Sequence, residues 1–389
     1  MYNILLLNKI AQCGTDLFDR SKYAVGDSIE NPDAILVRSA SMHDMPLGEN
    51  LRAIARAGAG VNNIPLEQCA DAGIVVFNTP GANANAVKEL VIAGLMLASR
   101  DITDGINWAN TLKDTPEATV AKQVEKGKSR FAGHEIAGKR LGVIGLGAIG
   151  VLVANAAVAL GMEVVGYDKF LTVESAWKLS RSIRRAASMD EIFASCDYIT
   201  LHIPATPETK GTLCAASIAK MKDGVRLLNF SRADLAVAAD IKAGLESGKI
   251  AKYVTDFPTE EILGAKNLIA IPHLGASTEE SEDNCAVMAV NELRDFLEMG
   301  NITHSVNYPD VSLPHSGDLR ICLCHKNIPA MLTQITAVLA QENINIENMV
   351  NRSKKEYAYT IVEIIGEIPQ DTAERLRAIG GIIRVNILR

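Results

Sequence analysis

The 389-residue sequence predicts an α/β protein with two domains built on parallel sheets, one of them doubly wound, and a small βαββαβ domain at the C-terminus. Three observations predict this fold class. Short apolar runs alternate with helical segments over roughly the first 80 residues. Residues 141–168 read as strand, glycine turn, helix, strand and acid, and the last 70 or so residues carry strand and helix patterns in the order βαββαβ.

The glycine turn is the feature around which we expect the chain to be organised. An apolar strand pattern runs directly into Gly145, Gly147 and Gly150, spaced as GxGxxG, and the next strand pattern ends in Asp168. Backbone N–H groups at a helix N-terminus bind a pyrophosphate if no side chain holds it away, so this order predicts a dinucleotide site. An acid at this distance binds the adenosine ribose and repels a 2′-phosphate, which favours NAD, although the adjacent Lys169 would favour NADP. Three ordinary turn glycines are the alternative.

Composition excludes several classes of partner and compartment. A hydrophobic fraction of 48% and a charged fraction of 22% are typical of a soluble globular protein. The net charge of −7 argues against nucleic acid or an anionic membrane as the main partner. The seven cysteines never form CxxC, so we expect reduced thiols in a cytoplasmic protein. Cys322 and Cys324, with His325 nearby, would form a metal pair or a packed strand face; we favour the packed face and expect no metal.

The first sheet is expected to form a flavodoxin-like substrate domain that is discontinuous, because a helical pattern after Ser277 would return the chain to it. A segment rich in proline and glycine predicts a linker before the last domain, where Pro329 is expected in the first turn of a helix. The expected boundaries are 1–90 with 277–306 for the substrate domain, 91–276 for the doubly wound domain, 307–318 for the linker and 319–389 for the last domain.

Polar side chains follow three neighbouring strands of the predicted doubly wound sheet. Arg232, the pair Glu260 and Glu261, and His273 each come directly after a strand pattern. Because carboxyl ends of parallel strands meet at one edge, these groups are expected to converge near the dinucleotide. Arginine would fix a carboxylate, histidine would take a hydroxyl proton near neutral pH, and a glutamate would orient the histidine. The pattern predicts oxidation of a hydroxy acid; independent loop residues are the alternative.

Other strand ends carry weaker signals. Arg38 and Ser39 follow a strand of the first domain, where an arginine would bind a carboxylate or phosphate, although a single arginine is more often a surface residue. His202 also ends a strand, and a structural role or a place in the adenine pocket is favoured over catalysis.

These motifs resemble the D-2-hydroxyacid dehydrogenases. The similar stretches are the glycine turn with Asp168, NFSR at 229–232, DFPTE at 256–260 and PHLGAST at 272–278, and the C-terminal domain resembles an ACT domain, a module that binds amino acids. The resemblance covers essentially the whole chain. It implies NAD-dependent oxidation of a phosphorylated hydroxy acid, 3-phospho-D-glycerate, to 3-phosphooxypyruvate, the first step of L-serine biosynthesis, with feedback by serine.

The resemblance also implies roles for individual positions. His273 would be the general base, Glu260 its carboxylate partner and Arg232 the anchor of the substrate carboxylate. The implied cofactor contacts are Gly145, Gly147, Ala148, Ile149, Gly150, Asp168, His202, Phe230, Ser231, Arg232 and Asp256. The implied substrate contacts are Arg38, Ser39 and Asn83. Serine would be held by His325, Asn327 and Asn345 between paired ACT domains, which implies a homodimer or homotetramer with a hinge in the linker.

The sequence departs from the family pattern at several of these places. Thr255 stands where the family has an aspartate, and the acid has moved to Asp256. Glu261 replaces a proline, Ala40 replaces a second arginine found in some members, and Ala330 replaces a glycine of the ACT domain.

Two alternative functions remain open from the sequence. One is another reductase of this family, acting on glyoxylate, hydroxypyruvate or 2-oxoglutarate. The other is a non-catalytic NAD-sensing binding protein. The ACT-like domain argues against both, because a regulatory amino-acid site suits the first step of a biosynthesis.

Overall fold

The computed structural model describes residues 1–389 except the side chain at position 118, and it divides into two compact units. The first unit comprises Met1–Asn83 and Glu279–Arg389, and the second comprises Ala84–Thr278. Within the described residues, none of the helices combines the length and apolar character needed to cross a bilayer.

The strands, in chain order, are β1 (Tyr2–Leu6), β2 (Tyr23–Gly26), β3 (Ala34–Val37), β4 (Ala53–Arg56), β5 (Val75–Asn78), β6 (Arg140–Ile144), β7 (Glu163–Tyr167), β8 (Arg184–Arg185), β9 (Tyr198–Leu201), β10 (Val225–Asn229), β11 (Ile250–Thr255), β12 (Leu268–Ala270), β13 (Leu319–Lys326), β14 (Ile346–Lys354), β15 (Tyr357–Ile364) and β16 (Ile382–Leu388). The helices are α1 (Gln12–Thr15), α2 (Leu66–Asp71), α3 (Ala84–Ser99), α4 (Ile102–Asn110), α5 (Glu117–Gly127), α6 (Ala148–Ala159), α7 (Val173–Lys178), α8 (Met189–Ser195), α9 (Ala215–Lys220), α10 (Ala238–Glu246), α11 (Glu279–Met299), α12 (Met331–Gln341) and α13 (Thr372–Arg377).

The N-terminal sheet of the first unit is parallel, with the order β2-β1-β3-β4-β5, which is flavodoxin-like as predicted. All four residues of β3 are buried, since a parallel strand covered on both faces reads as a continuous apolar run. The chain leaves this sheet after β5 and returns through α11, whose Leu293 and Phe296 share a core with Phe77. The sequence did not predict β2.

The sheet of the second unit has the order β12-β11-β10-β9-β6-β7-β8, with all strands parallel. The chain runs outward from β6 first in one direction and then in the other, so the predicted doubly wound topology is confirmed. The direction reverses between β6 and β9, and a crevice opens at the carboxyl ends of strands at such a switch point.

The C-terminal segment forms an antiparallel sheet with the order β14-β15-β13-β16, and α12 and α13 complete the predicted βαββαβ arrangement. The helices cover one sheet face, where Leu323 packs with Ile335 and Leu376. The opposite face carries Cys322 and Cys324, which belong to the core that also contains Phe296. The C-terminal sheet is therefore packed between its own helices and the N-terminal part of the first unit.

The segment at 307–318 is attached to the N-terminal sheet. The buried Tyr308 donates its hydroxyl hydrogen bond to the carbonyl of Ala70 at 2.7 Å, and the Asn307 side chain accepts from the Val76 amide at 2.9 Å. The start of the segment is therefore hydrogen-bonded to the N-terminal part of the unit, and the hinge that the resemblance implied in this segment stays a prediction.

A buried ion pair fastens the C-terminal sheet to the rest of the unit. Arg320 on β13 and Glu363 on β15 are both fully buried and lie 2.8 Å apart. Arg320 also donates to the carbonyl oxygens of Met299 at the end of α11 and of Leu313. Burial raises the pKa of Glu363, but hydrogen bonds from Ser316 and Arg320 outweigh burial and bring the pKa down to about 2. Both charges are thus fully paired inside the protein.

The first helix of the C-terminal domain begins later than predicted. Pro329 was expected in its first turn, but α12 begins at Met331, and Ala330 precedes it with a positive φ of 61°. The prediction is wrong because this left-handed residue separates the proline from the helix. Ala330 thus holds a conformation that glycine adopts without strain, at the place where the family has glycine.

We expect Glu363→Gln to lower the free energy of unfolding by about 3 kcal/mol or more, because it leaves the Arg320 charge buried and unpaired. Urea unfolding at neutral pH measures the change. Because the pKa of Glu363 is lowered, this carboxylate stabilises the folded state at pH values above 4.5, its ordinary pKa. That stabilisation is lost as the pH falls toward 2. Glu363→Gln should not show this loss of stability at acid pH, because glutamine does not titrate. Glu174→Gln, at an exposed ion pair with Lys178, is the control and should leave the free energy of unfolding nearly unchanged. Equal effects of the two substitutions would contradict the role of the buried pair.

Candidate active site

The glycine turn joins β6 to α6 at the switch point of the sheet. Gly145 has a φ of +93°, and a Cβ there would lie 2.4 Å from the carbonyl oxygen of His202. A Cβ on Gly150 would lie 1.9 Å from the carbonyl oxygen of Gly145, whereas a Cβ on Gly147 would have no atom of the described residues within 4 Å. Two glycines therefore allow the tight packing, and the third leaves open space before Ala148, the first residue of α6. These residues fit a pyrophosphate bound at the helix N-terminus.

Asp168 lies directly after β7 and is held in place by backbone groups. Its carboxylate accepts hydrogen bonds from the amides of Leu146 and Phe170, each at 2.7 Å. The ammonium of Lys169 lies 5.3 Å from the Phe170 ring centroid, so this charge is directed over an aromatic face. A fixed carboxylate beside the glycine turn can accept hydrogen bonds from ribose hydroxyl groups, and its negative charge repels a 2′-phosphate.

His202 follows β9 on the other side of the switch point. Its Nε2 lies 3.0 Å from the Thr200 hydroxyl, and burial lowers the pKa of His202 to about 3, so the ring is neutral. Its buried Nδ1 has no hydrogen-bond partner among the described residues. An unpaired polar atom next to Gly145 is what a cofactor site contains before the cofactor supplies the partner.

Arg232 and His273 approach the same aromatic side chain. The ring centroids of His273 and Phe257 lie 4.5 Å apart, and the Arg232 guanidinium carbon lies 5.8 Å from the Phe257 centroid. Both polar side chains are exposed. The predicted convergence of these two groups is thus present in the structure. Sequence reasoning did not assign a role to Phe257, although its place in the DFPTE stretch was noted.

Asp256, whose position departs from the family pattern, connects β11 to the loop that carries His273. Asp256 is buried, and its carboxylate accepts from the Gly275 amide in the His273 loop at 3.2 Å, which ties the end of β11 to that loop. Burial raises the pKa of Asp256, while the charges of His273 and Arg232 oppose the rise. Thr255 instead bonds to the carbonyl of Asn229 at 2.9 Å, joining β11 to β10. Its hydroxyl therefore has a structural role in the sheet.

Glu260 and Glu261 occupy exposed positions after β11. Neither makes a hydrogen bond to His273 among the described residues. The role of Glu260 as the carboxylate partner of His273 stays a prediction, as does the preference for Glu260 over Glu261.

Asn229, the last residue of β10, shapes the loop that carries Arg232, and sequence reasoning missed this role. The buried amide of Asn229 donates to the carbonyl of Arg232 at 2.9 Å and accepts from the Ser231 amide at 3.2 Å. Ser231 also donates to the Leu201 carbonyl at 2.6 Å, and the neighbouring Phe230 is buried. The NFSR spacing was visible in the sequence, but these backbone partners were not.

The predicted substrate residues lie in the first unit. The backbone amides of Arg38 and Ser39 both donate to the side chain of Asn8 at 3.0 Å, so Asn8 shapes the loop after β3. The Arg38 side chain pairs with Glu282 on α11 at 2.6 Å, and both groups are exposed. Asn83 directly precedes α3 and is half-buried.

The predicted effector residues belong to the C-terminal domain of the first unit. His325 is buried, and its ring nitrogens lie 2.8 Å from the Thr360 hydroxyl and 2.8 Å from the Lys326 carbonyl oxygen. Burial lowers the pKa of His325. Asn327 donates to the Lys355 carbonyl at 3.1 Å, and Asn345 is exposed just before β14. The histidine is thus hydrogen-bonded within the domain, and its role toward serine stays a prediction.

We expect Asp168→Ala to reduce the preference for NADH over NADPH at least tenfold, because the substitution removes the carboxylate that suits the ribose and repels a phosphate. Fluorescence titration of the protein with each nucleotide measures the two dissociation constants without turnover. Asp190→Ala, at an exposed position of α8, is the control and should leave the ratio unchanged. An unaltered ratio in Asp168→Ala would mean that the ribose is bound elsewhere.

Comparisons with known proteins agree with this geometry. Residues 105–275 match the family described as D-isomer specific 2-hydroxyacid dehydrogenase, NAD binding domain. The D-3-phosphoglycerate dehydrogenase of Escherichia coli (strain K12) is 31% identical over 356 residues, which cover 87% of this chain and 82% of that protein. D-3-phosphoglycerate dehydrogenase 1 of Saccharomyces cerevisiae is 29% identical, with 93% of this chain and 81% of that protein covered.

A solved structure is similar as well. The crystal structure of NAD+-bound 3-phosphoglycerate dehydrogenase from Entamoeba histolytica has a TM-score of 0.62 and 26% identity, and it covers 79% of this chain and 98% of that chain. Together with the glycine turn, Asp168 and the approach of Arg232 and His273 to Phe257, these matches lead to one conclusion: the chain belongs to the D-2-hydroxyacid dehydrogenase family and is an oxidoreductase that uses NAD.

Proposed function

We propose that the protein oxidises 3-phospho-D-glycerate to 3-phosphooxypyruvate, the first step of L-serine biosynthesis. The observation that carries the proposal is the extent of similarity to proteins named D-3-phosphoglycerate dehydrogenase. A match over 93% of this chain extends beyond the two parallel sheets into the C-terminal domain. A cytoplasmic location and a homodimeric or homotetrameric assembly are part of the same proposal.

The arrangement around Phe257 supports a division of roles in this reaction. Arg232 presents a planar fork that binds the substrate carboxylate, and His273 takes the proton of the neighbouring hydroxyl group. Bound NAD supplies the acceptor for the hydride. Because both side chains approach one aromatic ring, they can hold adjacent groups of one small molecule. A carboxylate from Glu260 would orient the imidazole and stabilise its protonated form.

The substrate phosphate is assigned to the first unit. Arg38, Ser39 and Asn83 correspond to substrate positions of the family, and Asn8 holds the amides of the first two in one loop. Ala40 stands where a second arginine is found in some members. Arg38 would therefore supply most of the positive charge that binds the phosphate. Its exposed partner Glu282 would be displaced by the phosphate, since exposed ion pairs contribute little.

Serine is the proposed regulator, bound at His325, Asn327 and Asn345. The packing of the first unit suggests how the signal would travel. Because Arg320 fastens β13 to the end of α11, a shift of the C-terminal sheet would move α11 and the N-terminal sheet with it. Regulation would then act on the substrate side of the protein.

We expect His273→Ala to reduce turnover by about a hundredfold or more, because the hydroxyl proton loses its acceptor. NADH binding should be nearly unchanged, and steady-state kinetics with fluorescence titration measure both quantities. His315→Ala, at an exposed position, is the control and should keep normal turnover. Near-normal turnover in His273→Ala would remove this residue from the catalytic site.

The substrate assignment is tested by NADH formation from 3-phosphoglycerate and NAD at mildly alkaline pH, with the product trapped. We expect turnover that serine decreases. Turnover unaffected by serine would support the enzyme and contradict the effector site. Turnover only with glyoxylate, hydroxypyruvate or 2-oxoglutarate in the reverse direction would indicate another reductase of the family. A folded protein that binds NADH and turns over none of these compounds would indicate a binding protein.

A further inference from the structure

A cleft of about 670 Å³ lies beside the edge strand β16 in the first unit. Its volume falls in the range of small-molecule sites, roughly 300–1,000 Å³. None of the residues assigned above to NAD, substrate or serine lines it. The lining residues are Glu49, Asn50, Arg52, Arg377, Ile383, Arg384, Val385, Asn386 and Ile387.

The lining is strongly positive in a chain whose net charge is −7. It contains three guanidinium groups, from Arg52, Arg377 and Arg384, against the single carboxylate of Glu49. Arg52 pairs with Asp33 outside the lining, at 3.8 Å, which is too long for a hydrogen bond. The positive charge therefore exceeds what the surrounding carboxylates offset.

The bonds of Arg384 and Arg377 leave their charges without a carboxylate partner among the described residues. Arg384 donates to the carbonyl oxygens of Glu49 at 3.2 Å and Ala72 at 3.1 Å. Within the part of the chain that the structure describes, the hydrogen bond of the Arg377 side chain goes to the carbonyl of Val385 at 3.5 Å. Backbone oxygens satisfy N–H groups but do not neutralise a cation. Burial lowers the pKa of Arg384, and the charge of Arg52 lowers it further, so two guanidinium groups repel each other across the cleft.

The position of Arg384 depends on a glycine. A Cβ on Gly73 would lie 2.7 Å from the Arg384 Cβ and 3.3 Å from its Nε, and Gly73 has a φ of +68°. The arginine reaches the loop before β4 because Gly73 has no side chain. The segment before β4 and the C-terminal domain thus each contribute arginine to one cleft.

We propose that this cleft binds a small polyanion that carries phosphate groups or several carboxylates. Arginine forks bind both groups bidentately, and an anion between Arg52 and Arg384 removes their mutual repulsion. The edge strand β16 adds backbone N–H groups that are not used in the sheet. The anion connects the N-terminal sheet to the C-terminal domain and stabilises their attachment. The site lies at the opposite edge of the C-terminal sheet from β14, and it does not depend on the proposed reaction.

Calorimetric titration of the full chain with pyrophosphate, and separately with citrate, tests the site at an ionic strength held constant with NaCl. We expect at least one probe to bind with a submillimolar dissociation constant. Arg377→Gln and Arg52→Gln should each weaken that binding at least tenfold. Arg352→Gln removes the same charge from the exposed face of β14 and should change the dissociation constant less than twofold.

The two probes distinguish which anionic groups the cleft binds, phosphates or carboxylates. Binding of pyrophosphate alone identifies phosphate groups, and binding of citrate alone identifies carboxylates. The bound probe should also raise the melting temperature of the parent protein and of Arg352→Gln, but not of Arg377→Gln. The proposal is overturned by the absence of binding at millimolar concentration. Binding that persists in Arg377→Gln and Arg52→Gln would overturn it as well, because the anion would then occupy another site.

Discussion

The common direction of the strands in the second unit determines where its chemistry can occur. Asp168 follows β7, Arg232 follows β10 and His273 follows the short β12. Because all seven strands are parallel, these residues lie at one edge of the sheet, and the reversal between β6 and β9 marks the place where sheets of this kind bind their ligands. Hydrogen bonds from side chains at the strand ends then fix the conformation of the loops that follow the strands. Asn229 and Asp256 supply such bonds, from the end of a strand to the loops that carry Arg232 and His273 respectively.

The C-terminal sheet illustrates a different constraint, because both of its faces are covered. Its helices occupy one face, and the core of the first unit occupies the other. The buried pair of Arg320 and Glu363 then connects the middle strands to the end of α11. The same packing brings Arg384 next to the loop before β4 and creates a positive cleft between parts that lie far apart in the chain.

The sequence predicted the elements whose patterns are local. Apolar runs revealed most strands, and the GxGxxG spacing with a following acid revealed the cofactor turn. It missed β2, which is only four residues long and mostly half-buried, so its pattern is weak. It also placed Pro329 inside a helix, because a propensity rule cannot anticipate the left-handed Ala330. Arg232 and His273 could be named as reactive groups, but their meeting at Phe257 could not be read from their spacing.

The sequence by itself determined the fold class, the order of elements and the residue types available for binding NAD and a hydroxy acid. These follow from hydrophobic periodicity and turn chemistry, which act between residues close in the chain. Only the tertiary structure decided which polar groups meet. Asn8 shapes the loop of Arg38 across 30 residues, and Arg384 reaches Glu49 across 335. Such contacts arise when distant segments pack together, and packing depends on shape and burial, which no short stretch of sequence records.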